Sequence, residues 1–272
     1  MYLAVDIGGT KTLIALFSAR GRKLKAVKFP TPLGRADFLT ALVAHLRDFS
    51  SRHIRQIVVA IPGVVQKDYS FQFGNRPWHN FDLITPIKNL FNCPVHLQND
   101  ANLATIFETR NLRGRSIYLT LSTGIGGGIA ENHKLLERAS NHFEPGHAHY
   151  IYNGLKLEWE DIASAEAIGT AYQTIATSVR GRKAYADIAA RLTPGLTDII
   201  LHYHPDNIVL GGPLSQLFPH FHRPLRKQLR QALDNSATAT ATRLPKLYQA
   251  EKPQESVIYG CFLVAQERDG RA

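Results

Sequence analysis

Short apolar runs, each closed by glycine or a polar turn, recur along the chain. Tyr2–Val5, Lys11–Phe17, Lys23–Phe29, Gln56–Ile61, Pro94–Leu97, Ser116–Leu121, Asn207–Leu210 and Arg243–Gln249 read as strands, since they are brief and rich in β-branched and aromatic residues. Elsewhere the apolar spacing turns helical. Over Ala36–Phe49 it puts Phe38, Leu39, Leu42, Val43 and Leu46 on one face. The same criterion predicts helices over Phe81–Phe91, Asn102–Leu112 and Asp161–Ile175. It also predicts one within Arg180–Tyr203, broken at Thr193-Pro194-Gly195, one running from Leu214 to about Leu233, and one over Glu255–Glu267, where Gly260 permits close packing. Gln66–Asn80 reads as an irregular loop with Trp78 as a core anchor and Asn75 as a turn residue. Asn235–Thr242 reads as a low-complexity loop. Strands interleaved with helices predict an α/β fold.

Several strand ends carry residues suited to chemistry. Asp6-Ile-Gly-Gly-Thr10 closes a hairpin into Lys11. Backbone N–H groups at Gly8, Gly9 and Thr10 can approach an anion there, and Asp6 suits a hydrated Mg²⁺ ion; a plain structural turn is the competing reading. Ser122-Thr-Gly-Ile-Gly-Gly-Gly128 is a second glycine-rich loop, followed by a strand. Both dinucleotide-binding and P-loop motifs require a helix at that point, so a phosphate-cradling hairpin fits better. Two such loops predict a duplicated fold holding one nucleotide. Gly211-Gly212, at a strand end before a helix, either accommodates a ring or phosphate or simply starts the helix.

Asn99-Asp100 lies between the Pro94–Leu97 strand and a helix start. Its side chains suit a helix cap or, for Asp100, a general base. Glu144 and His147 flank Pro145-Gly146, a rigid pair. His142, His147 and His149 raise a metal reading, with His147 and His149 on one face if they lie on a strand. No further ligand follows at a recognisable spacing.

Composition narrows the classes. The chain has 272 residues, 44% hydrophobic and 20% charged, enough for one large or two modest domains with a proper core. Its two cysteines, Cys93 and Cys261, lie in apolar runs, which predicts a reduced, cytoplasmic protein without a disulfide framework or cysteine zinc cluster. No run approaches a membrane span, and the start lacks the features of a signal peptide. A net charge of +10 suits an anionic ligand. The basic residues are dispersed and not interleaved with aromatics, so no nucleic-acid platform is expected.

Taken in order, these motifs resemble the ROK family of sugar kinases, of the actin/hexokinase-like ATPase superfamily, over essentially the whole chain. The resemblance implies two duplicated ribonuclease-H-like α/β domains around a cleft. Residues 1–115 with a returning helix at 254–272 would form the smaller domain, and 116–253 the larger. It implies ATP contacts at Asp6, Gly8, Gly9, Thr10, Lys11, Ser122, Thr123, Gly124, Gly126, Gly127, Gly211 and Gly212, with Mg²⁺ near Asp6. It makes Asp100 the catalytic base. It gives sugar contacts to Asn75, Asn99, Asp100, Glu144, His147 and Glu160, with Glu160 chosen over Glu158.

The resemblance has one departure. Most members carry a C-x-C-G-x-x-G-C zinc loop after the E-x-G-H histidine; here Ala148–Trp159 is too short and has no cysteine. No structural zinc is therefore expected, and His147 must be held through its second ring nitrogen by other means. The implied activity is transfer of phosphate to a hexose, with glucose at O6 the first expectation and N-acetylhexosamines, mannose or fructose as alternatives. Polyphosphate is the alternative donor, with Arg110, Arg113 and Arg115 as its track. A homodimer is a further expectation. A DNA-binding regulator is disfavoured because the chain opens at its first strand, and an inactive sugar-binding protein is disfavoured by Asp6, Asp100 and both glycine loops together.

Overall fold

The computed structural model describes residues 1–63, 65–66, 69–70, 78, 82–235 and 243–270. It forms two compact units, Met1–Phe107 with Val257–Ala272, and Glu108–Ser256. Among the described residues no helix is long and apolar enough to cross a membrane.

The first unit opens with β1 (Tyr2–Ile7), β2 (Lys11–Phe17) and β3 (Lys23–Pro30), followed by α1 (Arg35–Arg47) and β4 (Gln56–Ile61). A small hairpin of β5 (Val65–Gln66) and β6 (Tyr69–Ser70) stands where an irregular loop was expected. Then come α2 (Ile84–Lys88), β7 (Val95–Asn99) and α3 (Asp100–Thr109). The sheet order is β3-β2-β1-β4-β7, antiparallel through β3, β2 and β1 and parallel through β1, β4 and β7.

Alternation across this sheet explains its nearly unbroken apolar strands. Leu3, Val5, Ile57, Val59 and Ile61 face one core with Phe38, Leu42 and Leu46 of α1 and Ile87 of α2. Tyr2, Ala4, Val58 and Ala60 face another with Leu103, Ile258 and Cys261. Trp78 is buried against Phe38 and donates Nε1 to Leu33 O at 3.1 Å, the anchor its sequence context predicts.

The second unit repeats the plan. It contains β8 (Arg115–Leu121), β9 (Ile125–Glu131), β10 (Lys134–Leu135) and α4 (Glu137–Ser140). A 3₁₀ turn at Pro145–His147 leads into β11 (His149–Tyr152), β12 (Leu155–Glu158), α5 (Trp159–Ala163) and α6 (Ala165–Ala171). After another 3₁₀ turn come α7 (Arg182–Tyr203), β13 (Asn207–Gly211), α8 (Phe218–Asp234) and β14 (Lys246–Gln249). The order β10-β9-β8-β13-β14 repeats the first sheet's order and strand directions. The turn at Gly8 and the turn at Ser122 are therefore equivalent positions in two copies of one topology. The chain closes in α9 (Ser256–Arg268), whose Gly260 meets α3 so closely that a Cβ would lie 2.0 Å from Leu103 O.

Five local expectations are corrected. The helix after β7 starts at Asp100 and not at Asn102, because Asn99 Oδ1 accepts the amide of Asn102 at 2.9 Å and caps it. Asp161–Ile175 is two helices, α5 and α6: Ser164 is extended there and accepts the amide of Ala167 at 3.1 Å. Helix α7 runs unbroken through Pro194. Proline leaves nearby carbonyls short of donors, and the indole Nε1 of Trp159 supplies one to Arg191 O at 3.1 Å. The last strand of the second sheet begins at Lys246 and not at Arg243. Finally, the second glycine loop is only a turn at Ser122–Gly124; Gly126, Gly127 and Gly128 lie in β9, paired with Thr120, Leu119 and Tyr118.

Candidate active site

In the first unit the candidate groups cluster at the carboxyl ends of β1, β4 and β7. Ligands commonly meet open α/β sheets at such ends. The β1–β2 turn closes through Gly8 N–H, which donates to Lys11 O at 3.0 Å. Thr31 holds the turn from outside. Its hydroxyl donates to Gly8 O at 2.9 Å, its amide donates to Thr10 O at 3.0 Å, and its Oγ1 lies 2.9 Å from that of Thr12. The Gly8 amide is thus engaged within the hairpin. Nothing lies within 4 Å of a Cβ built on Gly9, so the open side of the turn is at Gly9, Thr10 and exposed Lys11. Thr12, buried in β2, and Thr31, buried just after β3, are supports that sequence reasoning missed: a buried threonine carries no outward sign of its partner.

Asp6, next to last in β1, is the one residue of that strand that is not fully buried. Burial of the carboxyl, followed by the negative charge of Asp100, raises it to about 7, with Lys28 pulling the other way. Two carboxylates near enough to perturb each other are what a divalent cation relieves, so the pair fits Mg²⁺.

Asp100 is the first residue of α3, and its Oδ1 accepts the amide of Ala101 at 2.7 Å. Asn99, besides capping the helix, donates Nδ2 to Gly63 O at 3.0 Å. The cap therefore belongs to Asn99, and Asn102 is buried in the helix. Much of the Asn99 amide is engaged in fixing the β7–α3 junction on which Asp100 stands. Asn75, the other expected sugar contact of this half, lies outside the described residues.

In the second unit the candidates converge on Glu160. Its Oε2 accepts the amide of Ile125 at 3.2 Å, just after the Ser122–Gly124 turn, which closes by Ser122 N–H donating to Gly124 O at 3.0 Å. A Cβ on Gly124 would lie 2.5 Å from that oxygen, and one on Gly146 2.7 Å from it and 2.5 Å from Ile125 O. Both glycines are needed for the carboxylate to reach the backbone. The candidate phosphate turn, the E-x-G-H turn and the later glutamate thus form one packed unit.

Glu144 precedes the 3₁₀ turn. Burial raises its carboxyl; His147 lowers it and Glu160 adds to the rise. His147 ends the turn, so it does not share a strand face with His149, which begins β11. Its Nδ1 lies 2.8 Å from Glu158 Oε2, and Glu160 Oε1 is 4.0 Å away. The hydrogen bond to Glu158, chiefly, raises the imidazole above its ordinary value, with Glu160 and Glu144 contributing. Sequence reasoning set Glu158 aside. The overlooked signal was Asn153-Gly154, a hairpin dipeptide with both φ positive that pairs His149 with Glu158.

A thiolate zinc site does not fit here. Cys93 and Cys261 both lie in the other unit, and Cys261 is buried there. His147, Glu158 and Glu160 form the one group among the described residues whose ligand atoms lie within 4.8 Å of one another, a set of nitrogen and oxygen donors only.

Gly211 ends β13, and Gly212 follows with φ of 75°, its backbone against Leu121. A 3₁₀ turn at Pro213–Leu217 then leads into α8. The expected polyphosphate track is largely engaged elsewhere: Arg110 pairs with Glu251 at 2.5 Å, and Arg115 with Glu131 at 3.1 Å and with Tyr203 O at 2.9 Å.

An N-acetylmannosamine kinase of Shigella boydii is 36% identical over 148 residues, 49% of this chain and 48% of its own length. The chain thus spans about half the length of the curated relatives it matches. A ROK family glucokinase from Streptomyces griseus, solved with glucose and AMPPNP, superposes with a TM-score of 0.81 at 23% identity, covering 98% of this chain and 99% of that one. The inorganic polyphosphate/ATP-glucomannokinase of Arthrobacter sp. strain KM gives 0.73 at 20% identity, covering 98% of each. These likenesses give the fold, which in this chain is two compact α/β units. The ROK family itself matches residues 2–268, and the chain belongs to that family.

Proposed function

We propose that this protein is a sugar kinase that moves the terminal phosphoryl group of ATP to a hexose hydroxyl, O6 or its equivalent. The observation that carries this reading is the placement of Asp100. It stands on a capped helix start, fixed by Asn99, in the same unit as Asp6 and the Gly8–Lys11 turn.

In this mechanism Asp100 takes the hydroxyl proton as the oxygen bonds to phosphorus and the bond to the ADP oxygen breaks. Phosphoryl transfer requires chiefly positioning and charge neutralisation. Asp6, with Asp100 nearby, would hold Mg²⁺, which neutralises phosphate charge when bound. Gly9, Thr10 and Lys11 face the phosphates, as do Ser122, Thr123 and Gly124, with Gly211 and Gly212 toward the adenosine. Glu144, His147 and Glu160 accept from or donate to sugar hydroxyls, joined by Asn99 through its remaining hydrogen-bonding capacity and by Asn75.

N-Acetylmannosamine is the first sugar to test, supported by the relative that is 36% identical over half the chain; glucose is the second. ATP is favoured over polyphosphate as the donor because Arg110 and Arg115 are engaged with carboxylates of their own unit. A matrix of ATP and polyphosphate against N-acetylmannosamine, N-acetylglucosamine, glucose, mannose and fructose, with and without Mg²⁺, tests the proposal. Turnover with at least one sugar, dependent on Mg²⁺ and ATP, is expected. Absence of turnover across the whole matrix sinks the kinase reading, and turnover with polyphosphate alone overturns the donor assignment.

A further inference from the structure

We propose that Glu158 is the positioning residue for His147: its carboxylate grips the ring at Nδ1, fixes its orientation, and presents Nε2 outward as the sugar-facing atom.

His147 ends a 3₁₀ turn and its side chain is 60% exposed. A ring so exposed has little packing to fix its orientation. Among the described residues Glu158 is the one group within hydrogen-bond distance of it, at 2.8 Å, while Glu160 Oε1 stands off at 4.0 Å and its other oxygen is bound to Ile125 N–H. Glu158 is itself well founded. It pairs with His149 at the end of the β11–β12 hairpin. The next residue, Trp159, donates its amide to Ala148 O at 2.8 Å, and its indole is fully buried with Nε1 on Arg191 O. The backbone on both sides of the ion pair is thereby tied to one buried side chain.

A carboxylate at Nδ1 requires a proton on that nitrogen. The neutral ring then carries its lone pair at Nε2 and accepts a hydroxyl proton there, whereas the protonated ring donates from Nε2. Glu158 thus selects which hydrogen bond His147 offers. Replacing a metal by a carboxylate as the orienting group needs only one anchored glutamate, which the Asn153-Gly154 hairpin delivers.

The inference rests on the reading of His147 as a sugar contact, so the test has two independent readouts on the full-length chain. The first is the ¹⁵N chemical shifts of the His147 ring at high pH without ligand. Wild type is expected to show the Nδ1–H tautomer, E158A a mixture weighted to Nε2–H, and E158Q, whose amide oxygen still accepts, a partial return to Nδ1–H. The second is steady-state kinetics with the sugar found active. E158A is expected to raise KM for the sugar by on the order of tenfold or more while KM for ATP stays put, with E158Q intermediate. An unchanged His147 tautomer in E158A overturns the inference, whether or not the protein proves to be a kinase. So does stoichiometric zinc bound by wild type and lost in E158A, since a metal and not the hydrogen bond would then be the holder. An inactive wild type with the expected ring shifts would instead fault the kinase reading alone.

Discussion

The hydroxyl of Ser256 donates to the carboxylate of Glu108 at 2.7 Å, joining the last residue of the second unit to its first. The same carboxylate accepts the amides of Glu251 at 2.7 Å and Lys252 at 3.0 Å, and it is buried. One side chain thereby satisfies three donors where the chain enters and leaves the unit. In E108Q a single amide oxygen replaces two acceptors, and the new NH₂ faces a backbone N–H. Leaving a buried donor unsatisfied costs about 1–3 kcal/mol. S256A removes one donor and leaves the carboxylate with two, a loss of about 0.5–1.5 kcal/mol. Urea denaturation should therefore rank wild type above S256A above E108Q. Equal midpoints for E108Q and wild type would show that the three bonds contribute nothing net.

Asp100 offers the direct test of the chemistry. Asparagine keeps the size and can still accept the amide of Ala101, which Asp100 holds at 2.7 Å, so the helix start survives. What is lost is the ability to take a proton. Removal of a positioned general base lowers kcat by roughly 10²–10⁴-fold. D100N should show that loss with sugar binding retained by calorimetry. Full turnover with normal binding would remove Asp100 from the role.

Much of this was legible in the sequence, and the misses have physical causes. Strand positions came through because both sheet faces are buried: runs such as Gln56–Ile61 have no polar face to blur them. The glycine turns, Asp100 and the E-x-G-H segment stand out in the sequence as motifs; the structure puts Asp100 at the start of α3 and the E-x-G-H segment in a 3₁₀ turn. Several of the misses were set by a partner distant in sequence. Helix α7 continues through Pro194, and the indole of Trp159, 35 positions earlier, donates to Arg191 O beside it. The Glu160 carboxylate packs against Gly124 and Gly146, which in the sequence look like phosphate or turn glycines. Glu158 was passed over because the motif shape pointed to its neighbour, although Asn153-Gly154 marked the hairpin that aims it. Of the two readings of Asn99-Asp100, helix cap or chemistry, the amide geometry gives the cap to Asn99, whose Oδ1 accepts the amide of Asn102.

The contact between Gly195 and Trp159 gives a prediction in which two effects oppose. Alanine in a helix interior is favoured over glycine by about 1 kcal/mol. A Cβ at position 195, however, would lie 2.2 Å from the Trp159 indole, which is fully buried and hydrogen-bonded and so has nowhere to move. Overpacking of this kind costs about 1–3 kcal/mol, so the clash wins. G195A should be less stable than wild type in thermal denaturation. Because Trp159 neighbours Glu158 and Glu160, sugar KM should rise with it. A stabilised G195A with unchanged KM would mean that the indole yields easily.

The pairing of Asp6 with Asp100 makes stability depend on pH in a defined direction. Asp6 is raised to about 7 from an ordinary value of 3.8, by burial first and by the charge of Asp100 second. Between those two values the unfolded chain has lost this proton while the folded chain keeps it. The folded state therefore binds more protons, and stability falls as pH rises through that window, levelling off above it. Glu144 and His147 are raised in the folded protein too, so the comparison must isolate Asp6. D6N keeps the shape and removes the titration. Urea midpoints of ligand-free wild type and D6N, taken from pH 5 to pH 8, should diverge steadily in favour of D6N until about pH 7 and then run parallel. Mg²⁺ with a non-hydrolysable ATP analogue should narrow the gap at pH 8 by stabilising wild type more than D6N, because the ionised carboxylate then has a cation to face. Parallel curves across the whole range would show that Asp6 is already ionised in the folded protein, and that the two carboxylates do not constrain one another.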